Sequence, residues 1–128
     1  MNPTETVEDY YAALRRGDPL APFFAECADA VKFGVSERLE GYDAIAEGLA
    51  EQTRTTKDWS VESRRLRVST SDSVAWFTDD VGLAWTDSAE TRQSFDTRWS
   101  GVLESQSDEG EEARWRFVQM HVSAPHEI

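Results

Sequence analysis

Residues 115–125 read W-R-F-V-Q-M-H-V-S-A-P, the clearest strand pattern in the chain. A strand points alternate side chains to opposite faces. One face is therefore predicted to begin with aromatic rings and to become polar toward the end of the strand, with Trp115, Phe117, Gln119, His121 and Ser123 on it. Apolar packing combined with a few hydrogen-bonding groups is typical of a wall that holds a small molecule. The pattern of this strand therefore predicts that it forms one wall of a ligand pocket.

Three strand-like segments precede the C-terminal strand. Residues 59–68 change their apolar face near Ser63, which predicts a bulge or a sharp bend. Residues 74–85 are apolar at both parities over much of their length, as in a central strand that is covered on both faces. Residues 91–105 form the next strand, and the acidic residues 107–112 are predicted to form a solvated hairpin connection into the last one.

Helix signals begin at the N-terminus. Asn2 followed by Pro3 predicts the start of a helix, and Gly17 predicts its end. Asp18 and Pro19 repeat the start signal and predict a short second helix.

The middle of the chain completes the predicted architecture. Residues 30–34 predict a short strand, residues 34–41 a loop, and Asp43 the N-cap of a third helix. Helices followed by a run of antiparallel strands predict an α+β fold with the helices on one face of the sheet. The bend in residues 59–68 predicts that the sheet curls around those helices.

The size and composition of the chain fit one soluble domain. A length of 128 residues predicts a single domain over residues 1–128, and five Trp and six Phe provide a core. No apolar run reaches the roughly 20 residues of a membrane span, and the N-terminus does not resemble a secretion signal. We therefore expect a cytoplasmic protein that is not bound to a membrane.

The charge balance restricts the partners of the protein. The chain has 25 acidic and 13 basic residues, a formal net charge of −12. Such a surface repels nucleic acid and anionic membranes, because both need a basic footprint. Self-repulsion also destabilises the compact state at low salt, and dense counterions relieve it. We interpret the composition as halophilic, with an acidic protein of an ordinary cytoplasm as the alternative.

Metal and cofactor chemistry has little support in the sequence. Cys27 is the only cysteine, which rules out an internal disulfide. The two histidines show neither the H-x-H nor the H-E-x-x-H spacing. The sequence predicts no metal site and no cofactor.

The order of these elements and motifs resembles the SnoaL-like branch of the nuclear transport factor 2-like, or ketosteroid isomerase-like, superfamily. The resemblance covers nearly the whole chain and is carried by Phe33, Gly34, Glu37, Gly41, Ala75, Trp76, Phe77, Arg98, Gly101, Trp115, His121, Ser123 and Pro125. It implies a cone-shaped curved sheet wrapped around helices, a pocket at the wide end, and a homodimer built through the sheet.

The resemblance does not fix an activity, because members of this superfamily serve as isomerases, cyclases, dehydratases, epoxide hydrolases and oligomerisation modules. Isomerase-type members place an aspartate base just after the first strand, where this chain has Gly34. This departure argues against steroid-type isomerisation.

Two residues are the predicted catalytic candidates. His121 can exchange a proton near neutral pH, with a structural histidine as the alternative interpretation. Glu37 lies in the loop over the predicted pocket mouth, where a carboxylate in apolar surroundings can act as a base. A surface carboxylate is the alternative for Glu37.

The predicted ligand-binding residues divide into polar and aromatic groups. Arg98 is an anion clamp or a partner of one of the many carboxylates. The other candidates are Ser123, Gln119, Trp76, Trp99, Phe33, Trp115 and Tyr11, and core packing is the alternative for the aromatic ones. His126 is interpreted as a surface residue.

The leading functional interpretation is a small-molecule-binding SnoaL-like domain for an apolar or hydroxylated ligand. Whether it is an enzyme stays open, and proton transfer or hydration is the chemistry that His121 and Glu37 would perform. The alternative is a non-catalytic association domain that dimerises through its sheet and fills its pocket with its own side chains.

Overall fold

The computed structural model describes residues 2–106 and 114–125. The predicted hairpin connection at residues 107–112 and the predicted surface position of His126 lie outside the described residues. The elements in chain order are α1 (Pro3–Arg16), a 3₁₀ turn (Ala21–Phe23), β1 (Val31–Phe33), β2 (Arg38–Glu40), α2 (Tyr42–Thr55), β3 (Lys57–Ser63), β4 (Arg67–Ser71), β5 (Val74–Thr86), β6 (Arg92–Gln106) and β7 (Arg114–Ser123).

The strands form one curved, unclosed sheet in the order β2-β1-β7-β6-β5-β3, and β4 also pairs with β5. The predicted α+β class with a sheet curved around helices is confirmed. The sheet is mixed rather than wholly antiparallel, because β1 runs parallel to β7. The long connection through α2 and five strands makes this parallel pairing feasible.

Helix α1 begins and ends where the sequence predicts. The Asn2 side chain accepts a hydrogen bond of 2.8 Å from the Glu5 backbone N–H, and Pro3 occupies the first helical position. Gly17 ends the helix with a φ of 73°, a conformation that glycine adopts without steric cost. Neither α-helix of the described chain has the length and apolar character that crossing a membrane requires.

The middle of the chain differs from the prediction in three details. The predicted second helix is only the 3₁₀ turn, and the predicted loop at residues 34–41 contains β2. The N-cap of α2 is Gly41, with a φ of 87°, and Asp43 lies inside the first turn. The prediction of Asp43 as the cap was therefore wrong, because the backbone of Gly41 starts the helix without a side-chain cap.

The segment predicted as one bent strand is divided into β3 and β4. Both strands pair with β5, and residues 64–66 connect them. The predicted break in the apolar pattern near Ser63 is thus confirmed, and its structural form is a change from one strand to the next.

One face of the sheet packs on α1 and forms the core. We call it the core face, and the opposite face the outer face. Tyr10 of α1 makes edge-to-face contacts with Trp99 and Phe117, and alternate residues of β5 from Ala75 to Leu83 are buried. The other parity of β5 is exposed, so the prediction of a strand covered on both faces was wrong for the single chain.

A β-bulge in β7 changes which side chains face the core. Val102 pairs with Gln119 and Leu103 with Phe117, so Val118 has no partner in β6. One extra residue reverses the alternation of every side chain after it. Phe117 and Met120 are consequently both buried on the core face.

Candidate ligand-binding site

A cavity of about 500 Å³ opens between the helices and the core face of the sheet. Its inner wall includes Tyr10 and Leu14 of α1 together with Leu83, Trp99 and Val122 of the sheet. A cavity of this size that is mainly apolar and carries a few polar groups is typical of small-molecule sites.

Three aromatic rings form one side of the cavity mouth. Trp59 and Trp85 are stacked with centroids 4.8 Å apart, and Phe95 lies 5.5 Å from Trp85 at an angle of 30°. The Trp59 indole N–H donates a 2.9 Å hydrogen bond to Thr56 Oγ1, which fixes the orientation of that ring. We call these three rings the aromatic wall. It offers flat apolar surface to a ligand.

An ion pair between Lys32 and Glu37 lies in the same cavity. Lys32 as a whole residue is only 4% exposed, because it pairs with Met120 in β7 and its side chain points to the core face. The Glu37 side chain is one-third exposed, at 33%. A charged group this deeply buried needs a partner, and Glu37 provides it.

A tight turn places Glu37 next to Lys32. The Gly34 backbone N–H donates a 3.0 Å hydrogen bond to the Glu37 carbonyl. A Cβ on Gly34 would lie 2.6 Å from Glu37 Cγ. Because Gly34 has no side chain, the Glu37 side chain can lie across the turn. The glycine thus serves the geometry of the ion pair.

Tyr10 adds a neutral hydrogen-bonding group to the cavity. Burial, and secondarily the nearby Glu37 carboxylate, raise the pKa of Tyr10 far above its usual range. The hydroxyl therefore stays protonated at any working pH and can donate a hydrogen bond. The Tyr10 ring makes edge-to-face contacts with the rings of Phe23 and Trp99.

The cavity therefore combines the Lys32 ammonium, the Glu37 carboxylate and the Tyr10 phenol with apolar walls, and the exposed Glu51 carboxylate also lines it, paired with Arg54. This set can hold a carbonyl or hydroxyl oxygen and can accept or return a proton through Glu37. In residues 2–106 and 114–125, no three His, Cys, Asp or Glu side chains gather closely enough to hold a metal ion.

Sequence comparison places the chain in a known family. Residues 4–127 match the family described as the SnoaL-like domain. The chain belongs to this SnoaL-like domain family. No curated protein matches the sequence.

Solved structures share the fold of this SnoaL-like domain at low identity. A nuclear transport factor 2-like superfamily protein from Salmonella enterica is 19% identical, with a TM-score of 0.81 over 97% of this chain and 89% of that chain. An NTF2-like family protein from Streptomyces avermitilis, provisionally assigned as a dehydratase, is 15% identical, with a TM-score of 0.83 over 97% and 94% of the two chains. A protein from Xanthomonas campestris, provisionally assigned as a calcium/calmodulin-dependent protein kinase II association domain, is 19% identical, with a TM-score of 0.77 over 98% and 86%. The fold is NTF2-like, as the sequence resemblance implied.

Four of the predicted site residues lie on the core side of the SnoaL-like domain: Glu37, Trp99, Tyr11 and Trp115. Glu37 and Trp99 line the cavity. Tyr11 is buried beneath it, and its hydroxyl donates a 2.9 Å hydrogen bond to Asp79 Oδ2 instead of facing a ligand.

The outer face holds most of the other predicted site residues. The prediction that Gln119, His121 and Ser123 face the interior was wrong, because the bulge at Val118 turns all three to the outer face. His121 is exposed there and lines a different cavity from Glu37, on the opposite face of the sheet. The two residues predicted to share proton transfer therefore do not form one site.

Four further predicted ligand contacts do not line the interior cavity. Arg98 lies beside Ser123 on the outer face. The Phe33 ring is on the same face, 5.6 Å from the His121 ring, and Trp76 is 46% exposed there. Trp115 is half-buried against the edge of the core, away from the cavity.

Sequence reasoning missed Lys32 and the aromatic wall of this SnoaL-like domain. A signal for Lys32 was available, because it is one of only two lysines and lies between Val31 and Phe33 in a short apolar strand. A lone charge in such a strand indicates either a surface position or a functional site.

Proposed function

We propose that this SnoaL-like domain binds a small, mainly apolar molecule that carries a carbonyl or hydroxyl group. The oxygen would lie at Lys32, Glu37 and Tyr10, and the carbon skeleton would lie against the aromatic wall. The observation that carries the proposal is an ion pair between the buried Lys32 and the partly exposed Glu37 inside an open, mainly apolar cavity of about 500 Å³. A buried ion pair contributes little to stability compared with apolar packing, so its presence favours a functional role.

The open volume also argues against a pocket filled by its own side chains. The aromatic wall stacks upon itself along one side and leaves the centre of the cavity open. The alternative of a self-filled pocket is therefore less favoured than ligand binding.

Proton transfer or hydration is the chemistry that these groups would support. The Glu37 carboxylate is the proton acceptor, and the Lys32 ammonium and Tyr10 hydroxyl are donors that stabilise negative charge as it develops on the ligand oxygen. His121 has no part in this scheme.

The test is native mass spectrometry of protein purified from its own cell extract. We expect a noncovalently bound small molecule whose occupancy falls strongly in Lys32→Met. The matched control is Lys57→Met, which changes the only other lysine, at an exposed position outside the cavity. Circular dichroism of both variants establishes that each remains folded.

Two results would contradict ligand binding. The first is wild-type protein that carries no bound molecule and whose melting temperature is unchanged by a panel of apolar ketones and alcohols. The second is a bound molecule whose occupancy falls equally in both lysine variants.

A second candidate function is self-association through the outer face, which would give a homodimer. Trp76 and Val102 are register neighbours on β5 and β6, and Trp76 and Val74 are exposed large apolar side chains. Such patches often mark protein contacts. The Xanthomonas campestris protein, provisionally assigned as an association domain, favours this role for the fold.

Light scattering after size exclusion tests the association. We expect wild-type protein to have twice the mass of the chain and Trp76→Glu to be monomeric, whereas Thr78→Glu, two residues away on the same face, retains the dimer. A monomeric wild-type protein at all concentrations would reject this second function and leave ligand binding unaffected.

A further inference from the structure

A second, shallower cavity of about 420 Å³ crosses the outer face of the sheet. We call it the arginine groove and define it by the side chains that approach it, Arg65, Arg67, Asp80, Arg98, His121 and Ser123. The groove is on the opposite face of the sheet from the cavity that contains Lys32 and Glu37, and it requires a separate explanation.

The strand register explains why these side chains converge. Arg67 pairs with Thr78, Thr78 with Ser100, and Ser100 with His121, which forms one polar row across four strands. At about 4.8 Å between strands, the row spans about 14 Å. The next row on the same face contains Asp80, Arg98 and Ser123, so Arg98 lies beside the first row.

The arginines of the groove differ from most of the other basic residues in their pairing. Within the described part of the chain, six of the 13 basic side chains form ion pairs with carboxylates: Arg16, Lys32, Arg38, Arg54, Lys57 and Arg64. Three more bond to carbonyl oxygens: Arg15, Arg92 and Arg116. In residues 2–106 and 114–125, the remaining four side chains, those of Arg65, Arg67, Arg98 and Arg114, have no such partner, and the first three of them face the groove.

A fully solvated set of arginines is the simplest alternative, but the charge distribution argues against it. Three arginines line one groove together with Asp79 and Asp80, in a chain of net charge −12. The Asp79 carboxylate is bonded to Tyr11 on the core side, which leaves Asp80, directly across from Arg98, as the carboxylate on the outer face. The hydroxyls of Thr78, Ser100 and Ser123 add neutral donors between the guanidinium groups.

The edge of the groove is held by a buried carboxylate on the other side of the sheet. Asp79 Oδ1 accepts a 2.8 Å hydrogen bond from the Arg65 backbone N–H, and Asp79 Oδ2 accepts hydrogen bonds from Tyr11 and Ser63. The backbone that carries Arg65 is therefore fixed before a ligand arrives, which lowers the entropic cost of binding.

From these observations we infer that the arginine groove is a binding site for a small molecule that carries a phosphate or carboxylate group. The planar guanidinium groups of Arg67 and Arg98 form paired hydrogen bonds to the oxyanion, which is the geometry that arginine provides for such groups. The hydroxyls complete the donor set. The inference is independent of the ligand in the interior cavity.

The test is a titration of isotope-labelled protein followed by the NMR signals of the arginine Nε–Hε groups. Inorganic phosphate is the first probe and citrate the second, each added at fixed pH and with KCl adjusted to keep the ionic strength constant. We expect saturable shifts of the Arg67 and Arg98 signals with at least one probe. Saturation by phosphate alone would identify a phosphate ligand, and saturation by citrate a carboxylate ligand.

Matched substitutions localise the binding. Arg67→Gln and Arg98→Gln are each expected to weaken binding about tenfold, as loss of a charge-assisted hydrogen bond predicts. Arg114→Gln is the control, because it removes the same charge at the far end of the strand that contains His121. It should leave the affinity unchanged.

Three outcomes would overturn the inference. The first is a linear, unsaturable response to both probes. The second is an equal loss of affinity in Arg114→Gln, which would indicate nonspecific attraction. The third is that wild-type protein binds neither anion while the Arg67 or Arg98 variant has a different oligomeric mass from wild type. That result would show that the groove is a contact surface between copies of the chain.

Discussion

Asp79 is the only buried acidic side chain among the described residues. Its carboxylate accepts three hydrogen bonds. The Tyr11 hydroxyl donates one of them, and burial, followed by the nearby Asp79 carboxylate, raises the pKa of Tyr11. We expect Tyr11→Phe to lower the free energy of unfolding by about 1–3 kcal/mol, because it leaves a buried acceptor with one donor fewer. Urea denaturation followed by fluorescence measures this loss.

Tyr42→Phe is the control for this substitution, since Tyr42 is only half-buried and packs at the edge of the core. It should change the free energy of unfolding by less than about 0.5 kcal/mol. Equal effects of the two substitutions would show that the Tyr11 hydrogen bond to Asp79 contributes nothing specific.

At the scale of the element, the bulge in β7 depends on a glycine in the neighbouring strand. A Cβ on Gly101 would lie 2.5 Å from the Gln119 carbonyl oxygen and 2.8 Å from Phe77 Cε1. Because the backbone oxygen cannot move aside cheaply, Gly101→Ala is expected to destabilise the protein by about 1–3 kcal/mol. Thermal unfolding measured by calorimetry tests this expectation.

Gly82 in β5 is the matched control. A Cβ there would first meet the end of the Arg64 side chain, which is flexible and exposed. Gly82→Ala should therefore cost much less stability than Gly101→Ala. If both variants melt at the same temperature, the close approach at the bulge has no energetic consequence.

The turn between β5 and β6 gives a pH-dependent prediction. Hydrogen bonds from the Thr91 backbone N–H, then from the Gln93 side chain, lower the pKa of Asp87. A lowered pKa contributes stability that is present above the pKa of the unfolded carboxyl group, about 3.9, and is lost as the pH falls through the folded value. The melting temperature of wild-type protein should therefore approach that of Asp87→Asn between about pH 5 and pH 3. A constant difference between the two proteins across this range would contradict the role of the carboxylate.

The bulge also explains which elements could be predicted from the sequence. The capping signals at Asn2 and Gly17 act locally, and the helix they predicted is present. The bulge at Val118 depends on how β7 pairs with β6. The alternation of apolar and polar residues within β7 alone does not indicate which residue is left without a partner in the neighbouring strand. For this reason the alternation was predicted correctly for Phe117 and incorrectly for His121.

For the whole molecule, the surface charge predicts a response to salt. Asp79 apart, the acidic side chains that the structure describes are exposed or half-buried, so their repulsion acts through solvent and is screened by ions. We expect the melting temperature to rise steadily as KCl increases from low to molar concentration. An unchanged or falling melting temperature would reject the halophilic interpretation.

The fold of the whole chain was more predictable than its site. Fold class follows from the order of helices and strands, and weak motifs spread over the chain sufficed for it. A site depends on the direction of a few side chains. Glu37 and Trp99 line the interior cavity, whereas Lys32 was missed because only its pairing with Met120 turns it inward.

Because the two lysines differ in exposure, their relative rates of amine acylation report on access to the interior cavity. The Lys57 side chain is 56% exposed and that of Lys32 only 6%. A mild acylating reagent should label Lys57 rapidly and Lys32 at the rate at which the domain opens. A molecule lodged in the interior should slow the second reaction and leave the first unchanged. The ratio of the two mass labels would therefore measure occupancy in a mixture, whatever the identity of the bound molecule.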